Sequence, residues 1–444
     1  MRRRILVDVA PLRESPNFRR LFAGQLVATL GSQLTVVAIP YQLYAETHSS
    51  LQVGAVSLVQ LVPLVLGALI GGSVGDAVDR RVLLLASTGL LSLSSVALAL
   101  NATLAHPSVP AIYVISAVAA AMNGFINTAR NAVVPALVAP RLLLAAYSFL
   151  QSLYQLGSVV GPAVSGLLIG AVHLPWVYAI DAGTYALSLL TIVGMSALPP
   201  AVGAARPGVR SVLEGIGFLK GRQALQGVYV IDVNAMVFGM PRALFPAMTA
   251  TVFGGGASVL GYLYAAVGVG GLAAGVTTGW VERVRRQGWL IVAAVMVWGA
   301  AITGFGLIRS LPVALALLAV GGWADVISAV VRNTVLQRSV PERFRSRMSS
   351  IQMAVVSGGP RLGDLESGAV ASAAGIEVSV VSGGLACIAG AMVLACLLPA
   401  FRRYRSPDGN EDDHGEEAQP ELRYTFGREP GDGGPPVGPV RNRP

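Results

Sequence analysis

Apolar residues in this chain run in long blocks, broken by short clusters of charge, proline and glycine. An α-helix rising about 1.5 Å per residue needs roughly 20 mostly apolar residues to cross a bilayer. Twelve blocks reach that length, at approximately 18–42, 51–75, 82–104, 111–137, 145–171, 175–198, 223–250, 257–280, 288–309, 311–337, 346–374 and 376–400. The pattern predicts an all-α integral membrane protein of twelve transmembrane helices. The longest interruption, Pro199 to Arg222, is rich in proline, glycine and arginine and divides the blocks six and six. The expected organisation is a cytoplasmic N-terminus (1–17), a first six-helix bundle (18–198), a cytoplasmic linker (199–222), a second bundle (223–400) and a cytoplasmic tail (401–444). From Arg405 onward the chain turns to proline, glycine and acid, which cannot bury a core, so 406–444 is expected to be disordered.

Charge placement adds an orientation. Of the basic residues outside the disordered tail, 23 fall at the N-terminus, in even-numbered loops or just after the last block, whereas the odd-numbered loops hold only Arg309. By the positive-inside rule both termini are expected in the cytoplasm, with the chain multi-pass in a bacterial inner membrane. The formal net charge of +9 could suggest nucleic acid, but this distribution assigns it to membrane orientation and lipid contact instead. At 54% hydrophobic and 12% charged, the chain has too few charges to cover a soluble protein of its size. Asp8 and Arg13 interrupt the apolar run that a cleaved signal peptide would need.

Sliding the second half back by about 202 residues superposes unusual positions. Asn123, Arg130 and Asn131 match Asp325, Arg332 and Asn333, and Gln151 matches Gln352 one residue closer. Gly67, Gly71 and Gly75 match Gly271, Gly275 and Gly279, but small residues recur by chance in membrane helices, so the Arg-Asn pair carries most of the weight. The repeat predicts two duplicated bundles with a substrate site near the midplane between them. It also supports the 311–337 helix, which contains Asp325 and Arg332.

Two motifs carry a family resemblance. Gly72-x-x-x-Asp76-x-x-Asp79-Arg80-Arg81, between the second and third helices, resembles the signature loop of the major facilitator superfamily, with Asp79 where that family has a glycine. Gly157-x-x-x-Gly161-Pro162-x-x-x-Gly166 in the fifth helix is similar to the glycine-proline motif of its antiporters. The combination looks like the bacterial exporter branch that includes the enterobactin exporter and macrolide-efflux-type proteins. The resemblance implies the major facilitator fold and a conformational latch at Gly72, Asp76, Arg80 and Arg81, locking the halves on the cytoplasmic face. It also implies a helix bend at Gly157, Gly161, Pro162 and Gly166 that favours export. The plain alternatives are a positive-inside anchor and small-residue packing.

Charges inside a membrane are costly and are functional candidates by default. Arg130 and Arg332 each lie seven residues from Asn123 or Asp325 on one helical face, and resemblance places their helices around a central cavity; the alternative is that both arginines snorkel to headgroups. In the eleventh helix Arg361 and Asp364 can neutralise each other, which leaves Glu366 needing a partner, and matching depth nominates Arg242. Asp232, Asp325 and Glu366 are the carboxyls expected to carry a coupling proton, while Asp181 is expected at the interface.

The expected function is secondary active transport, namely proton-coupled export of a small hydrophobic or amphipathic compound such as a drug or siderophore. The alternatives are an importer or facilitator and a non-transporting membrane sensor. An ATP-driven pump is excluded by the absence of a phosphate loop around the only lysine, Lys220. No His, Asp or Cys cluster suggests an enzyme or a metal site, and His48, His106, His173 and His414 stand apart. No cofactor is expected, and the protein is expected to act as a monomer.

Overall fold

The computed structural model describes residues 9–75, 78–198 and 217–405. Among them lie twelve long helices: α1 (Pro16–Thr47), α2 (Ser50–Gly75), α3 (Arg80–Ala102), α4 (Val109–Leu137), α5 (Leu143–Val172), α6 (Leu174–Val193), α7 (Gln223–Phe238, resumed at Phe245–Thr251), α8 (Ala257–Thr277), α9 (Gln287–Leu307), α10 (Leu311–Ser339), α11 (Glu342–Ala374) and α12 (Ile376–Leu397). Eleven of these are long and apolar enough to cross a membrane. The exception is α11, whose 33 residues include Arg347, Arg361, Asp364 and Glu366. Its length spans a bilayer, and of its charges Asp364 is turned to other helices, as described below.

Local chemistry sets the helix starts. Ser15 caps α1 by accepting from the Phe18 N–H at 3.1 Å, with Pro16 in the first turn where no donor is needed. Asp79 caps α3 by accepting from the Arg81 N–H at 2.8 Å. Large apolar side chains such as Leu93, Val114, Leu144, Leu190 and Val276 stay exposed, the outer surface expected of helices solvated by lipid.

The two sets of six helices pack by the same plan. In the first, α2 lies on α4, α3 on α4 and α6, and α1 on α5 and α6; in the second, α8 lies on α10, α9 on α10 and α12, and α7 on α11 and α12. The duplication read from sequence is thus repeated in the packing. Between the halves the main contacts are α2 with α11 and α5 with α8. Both contacts are made through glycine. A Cβ on Gly166 would stand 2.5 Å from the Gly261 Cα, and one on Gly368 would stand 2.6 Å from the Ser50 carbonyl oxygen. These positions lie toward the face that carries the odd-numbered loops. Toward the even-loop face, Leu144, Tyr147, Gln151 and Leu156 of α5, with Leu272 of α8, line an open groove of about 680 Å³. The halves are therefore packed together at the odd-loop face, with space between them at the other.

Residues 199–216 of the expected linker, 406–444 of the tail, the first eight residues and Asp76 lie outside the described residues. The end of the linker docks: Phe218 stacks on Phe344 at 4.1 Å between centroids, and Arg222 lies over Phe218 at 3.8 Å.

A test of the glycine interface follows. Gly166→Val places branched carbons against the α8 backbone, which cannot yield as a flexible side chain would. Cysteines at positions 170 and 258, where a Cβ on Gly170 would stand 3.1 Å from the Ser258 hydroxyl oxygen, should form a disulfide readily in the parent and about tenfold more slowly in the Gly166→Val background.

Candidate functional site

The break in α7 was not expected from the sequence, which reads as one run over 223–250. Gly239 ends the first segment, Pro241 has no N–H to continue it, and Arg242–Leu244 form a single 3-10 turn before the helix resumes. The break frees backbone donors at the start of the resumed helix. Asp364 of α11 takes one, accepting from the Ala243 N–H at 3.2 Å, a carboxylate placed where the helix dipole favours it. Its other oxygen accepts from the Ser57 hydroxyl at 2.7 Å, and Ser57 belongs to α2 in the first half. Asp364 therefore ties three helices and both halves at the closed face.

This geometry corrects the pairing drawn from helix depth. Arg242 is exposed, and the carboxylate within its electrostatic reach is Asp364, not Glu366. The 3-10 turn changes the direction in which residue 242 projects, so counting residues from the helix start fails. Arg361 donates to the Ser357 carbonyl at 2.6 Å and acts on Asp364 only through space. Glu366 is half-buried.

A second site lies inside the second half. Arg332 of α10 and Asp232 of α7 approach to 2.6 Å between Nη1 and Oδ1, with side chains only 6% and 2% exposed. That contact joins charges without the angle of a hydrogen bond. Gln352 of α11 donates to the other Asp232 oxygen at 3.3 Å. Asp325, one helical face up from Arg332, acts on Asp232 as a like charge. The alternative that Arg332 snorkels to headgroups is thereby removed: it is buried and paired. With Asp325 acting on Asp232 as a second negative charge and Arg332 as the one paired cation, one negative charge is in excess, which a proton can cancel.

The equivalent region of the first half is built differently. Arg130 donates to Asn127 Oδ1 at 2.7 Å, one turn back on α4, and among the described residues no acid forms an ion pair with it. Together with Gln25, Thr29, Ser32, Asn123 and Tyr185, these residues line a narrow polar cleft of about 70 Å³ between α1, α3, α4 and α6. Asp181, expected at the interface, lies four residues before Tyr185 on α6 and is buried against neighbouring helices, 1% exposed. It faces inward because α1 and α3 offer it hydroxyls: Thr35 donates at 2.6 Å and Ser95 at 2.7 Å. Sequence spacing along α6 alone could not reveal donors on two other helices.

The contacts described for Asp79 and Arg81 of the signature loop lie within the first half. Arg81 donates to the Ile192 carbonyl at 3.3 Å and to the Val193 carbonyl, and Arg20 donates to the Gly194 carbonyl. Three cation contacts thus close the C-terminal end of α6. Asp79, the departure from the family pattern, accepts from the Leu198 N–H at 3.1 Å while capping α3, and the Arg80 N–H donates to the Leu198 carbonyl at 3.0 Å. Arg80 is buried, and Gly72 sits in the last turns of α2. In the glycine-proline motif, Gly157 and Gly161 face Thr29 and Gln33 of α1, whereas Pro162 and Gly166 face Gly261 across the interface. Only the second part of that motif lies between the halves.

Two duplicated six-helix halves, packed together at one face and with charges buried among the helices, have the architecture of a membrane transporter. A family model, transmembrane secretion effector, matches residues 7–427, and the chain belongs to this branch of the major facilitator superfamily. It is 28% identical over 404 residues to the enterobactin exporter of Escherichia coli O1:K1, covering 90% of this chain and 96% of that one. The same identity and coverage hold for the enterobactin exporter of Shigella boydii serotype 18. Among solved structures, a POT family transporter in complex with 5-aminolevulinic acid superposes with a TM-score of 0.69 at 11% identity, covering 87% of this chain and 97% of that one. A bacterial homolog of the human lysosomal transporter Spinster superposes with a TM-score of 0.66 at 14% identity, covering 87% and 95%. The chain is a multi-pass membrane transporter of a small-molecule substrate, and members of this family are not enzymes.

Proposed function

We propose that this transporter exports a small amphipathic compound, of siderophore or drug type, from the bacterial cytoplasm in exchange for protons. The observation that carries the coupling is the buried Asp232–Arg332 contact with Asp325 beside it. While Asp232 is ionised it holds Arg332; a proton on Asp232 releases the guanidinium, which must then find another partner, and the packing of α7 against α10 and α11 changes with it. The basic even-numbered loops support a cytoplasmic position for the open face, so substrate would enter the 680 Å³ space from inside. Apolar walls with a few hydrogen-bonding groups, Gln151, Ser148 and Tyr147, suit a compound with both apolar and polar parts. The exporter names of its relatives support the direction.

The substrate and energy source can be tested together. Cells expressing the protein should accumulate less of a catecholate siderophore or an amphipathic dye than cells lacking it, and a proton uncoupler should remove the difference. Export that survived collapse of the gradient would contradict the coupling.

A further inference from the structure

The second buried acid of the bundles, Asp181, stands in surroundings unlike those of Asp232. Its carboxyl is held by Thr35 and Ser95 alone, both on the same oxygen, Oδ2. The other oxygen, Oδ1, is buried and has no hydrogen-bond partner. Thr184 lies close to it, but its hydroxyl donates to the Asp181 backbone carbonyl at 2.7 Å. The helices packed on this part of α6 bring no cation. Residues 25–42 of α1 and 87–101 of α3 contain no Lys, Arg or His, and no second acid. The titratable groups facing the carboxyl are Tyr178 and Tyr185 on its own helix, with Tyr41 the sole titratable residue of the α1 stretch. Tyr178 donates to Gln42 at 2.9 Å, so its hydroxyl proton is committed elsewhere. On α5, Tyr147 and Tyr154 lie toward the opposite end, and His173 at the α5–α6 junction is eight residues away, about 12 Å along a helix.

A bare carboxylate in such a place costs several kcal/mol or more, whereas a carboxylic acid keeps both hydroxyl contacts and puts its proton on the idle oxygen. A polar cleft begins one turn along the same face of α6. Tyr185, four residues on, and Ser188, seven on, line the polar cleft together with Ser32, Thr29 and Gln25 and, at its far end, Asn127 and Arg130. The repeat offers no acid in the second half: 202 residues on from Asp181 stands Gly383. The halves are therefore unlike, one with a carboxyl paired to arginine and one with a carboxyl paired to hydroxyls.

We infer that Asp181 is a second proton-binding site, in the first half, which takes up and releases one proton at its carboxyl through the α1–α3–α4–α6 cleft during the transport cycle. The inference rests on the proposed proton-coupled export, and the two can be separated. Infrared difference spectra of purified protein between acid and alkaline pH should contain a protonated-carboxyl band that Asp181→Asn removes and Asp232→Asn leaves in place. In liposomes, protons moved per substrate should fall by about half in Asp181→Asn, one of two sites being lost. Ser95→Ala, which keeps the carboxyl, should shift the pH at which the band titrates by about one unit, covering the case in which Asp181→Asn does not fold. An unchanged band and proton count in Asp181→Asn, or an unshifted band in Ser95→Ala, would make Asp181 a purely structural acid and overturn the inference. If instead no proton moved with substrate in the parent protein while the Asp181 band still titrated, the export reading would fall and the site would stand.

Discussion

Replacing Arg332 with alanine should abolish gradient-driven transport and destabilise the protein by about 3–5 kcal/mol, because it leaves the Asp232 carboxylate buried without its cation. The cost follows from the site rather than from the size of the side chain. Asp232 is 2% exposed on its side chain, and its remaining partner, Gln352, is a neutral donor at 3.3 Å that cannot replace a charge at 2.6 Å. Asp325 adds to the excess negative charge when Arg332 is removed. The double variant Asp232→Asn, Arg332→Gln should recover most of the stability, since the buried position 232 no longer carries a charge and the remaining acid, Asp325, is only half-buried, yet remain uncoupled, since position 232 can no longer exchange a proton. Thermal unfolding in detergent reads the first quantity and liposome transport the second. Equal stability losses in the single and double variants would show that Arg332 acts through packing alone.

The second large effect concerns the closed face. Asp364→Ala removes the acceptor for both the Ser57 hydroxyl and the Ala243 N–H, one contact across the halves and one at the α7 break. Hydrogen bonds to a charged group contribute about 1.5–3 kcal/mol each. Loss of the cross-half bond alone should shift the balance between closed and open odd-loop faces by roughly 10- to 150-fold. Spin labels at Glu46 and Glu377, on a background with Cys387 and Cys396 replaced, should report a longer distance distribution in Asp364→Ala, and transport should fall in parallel. An unchanged distribution would mean that the glycine contacts at Gly54, Gly166 and Gly368 hold that face closed by themselves.

Those two sites differ in how far the sequence reveals them. The apolar blocks and the repeat determine twelve helices and two halves because burial in lipid demands long apolar runs and duplication leaves its register. Arg332, Asp232 and Asp325 could be nominated for the same reason: charge within an apolar block is rare and conspicuous. Their union could not be read, since Asp232 and Arg332 come from helices 100 residues apart and the rotation of each helix about its axis is set by packing. Asp364 was visible as a charge but its work was not, because the Ala243 N–H is free only where Gly239 and Pro241 break α7. For Asp181, a position near a helix end was legible, but its burial against the Thr35 and Ser95 hydroxyls of two other helices was not. The signature loop is legible as a motif, and Asp79, its deviation, proves to do the local job of capping α3 and holding the segment after α6.

The central claim is that the Asp232–Arg332 site couples substrate movement to protons, and reconstituted protein tests it most directly. With an imposed pH gradient and no other energy source, the parent protein should move substrate against its concentration gradient. Asp232→Asn should still exchange labelled for unlabelled substrate but accumulate none. Uphill movement by Asp232→Asn equal to that of the parent would contradict the account.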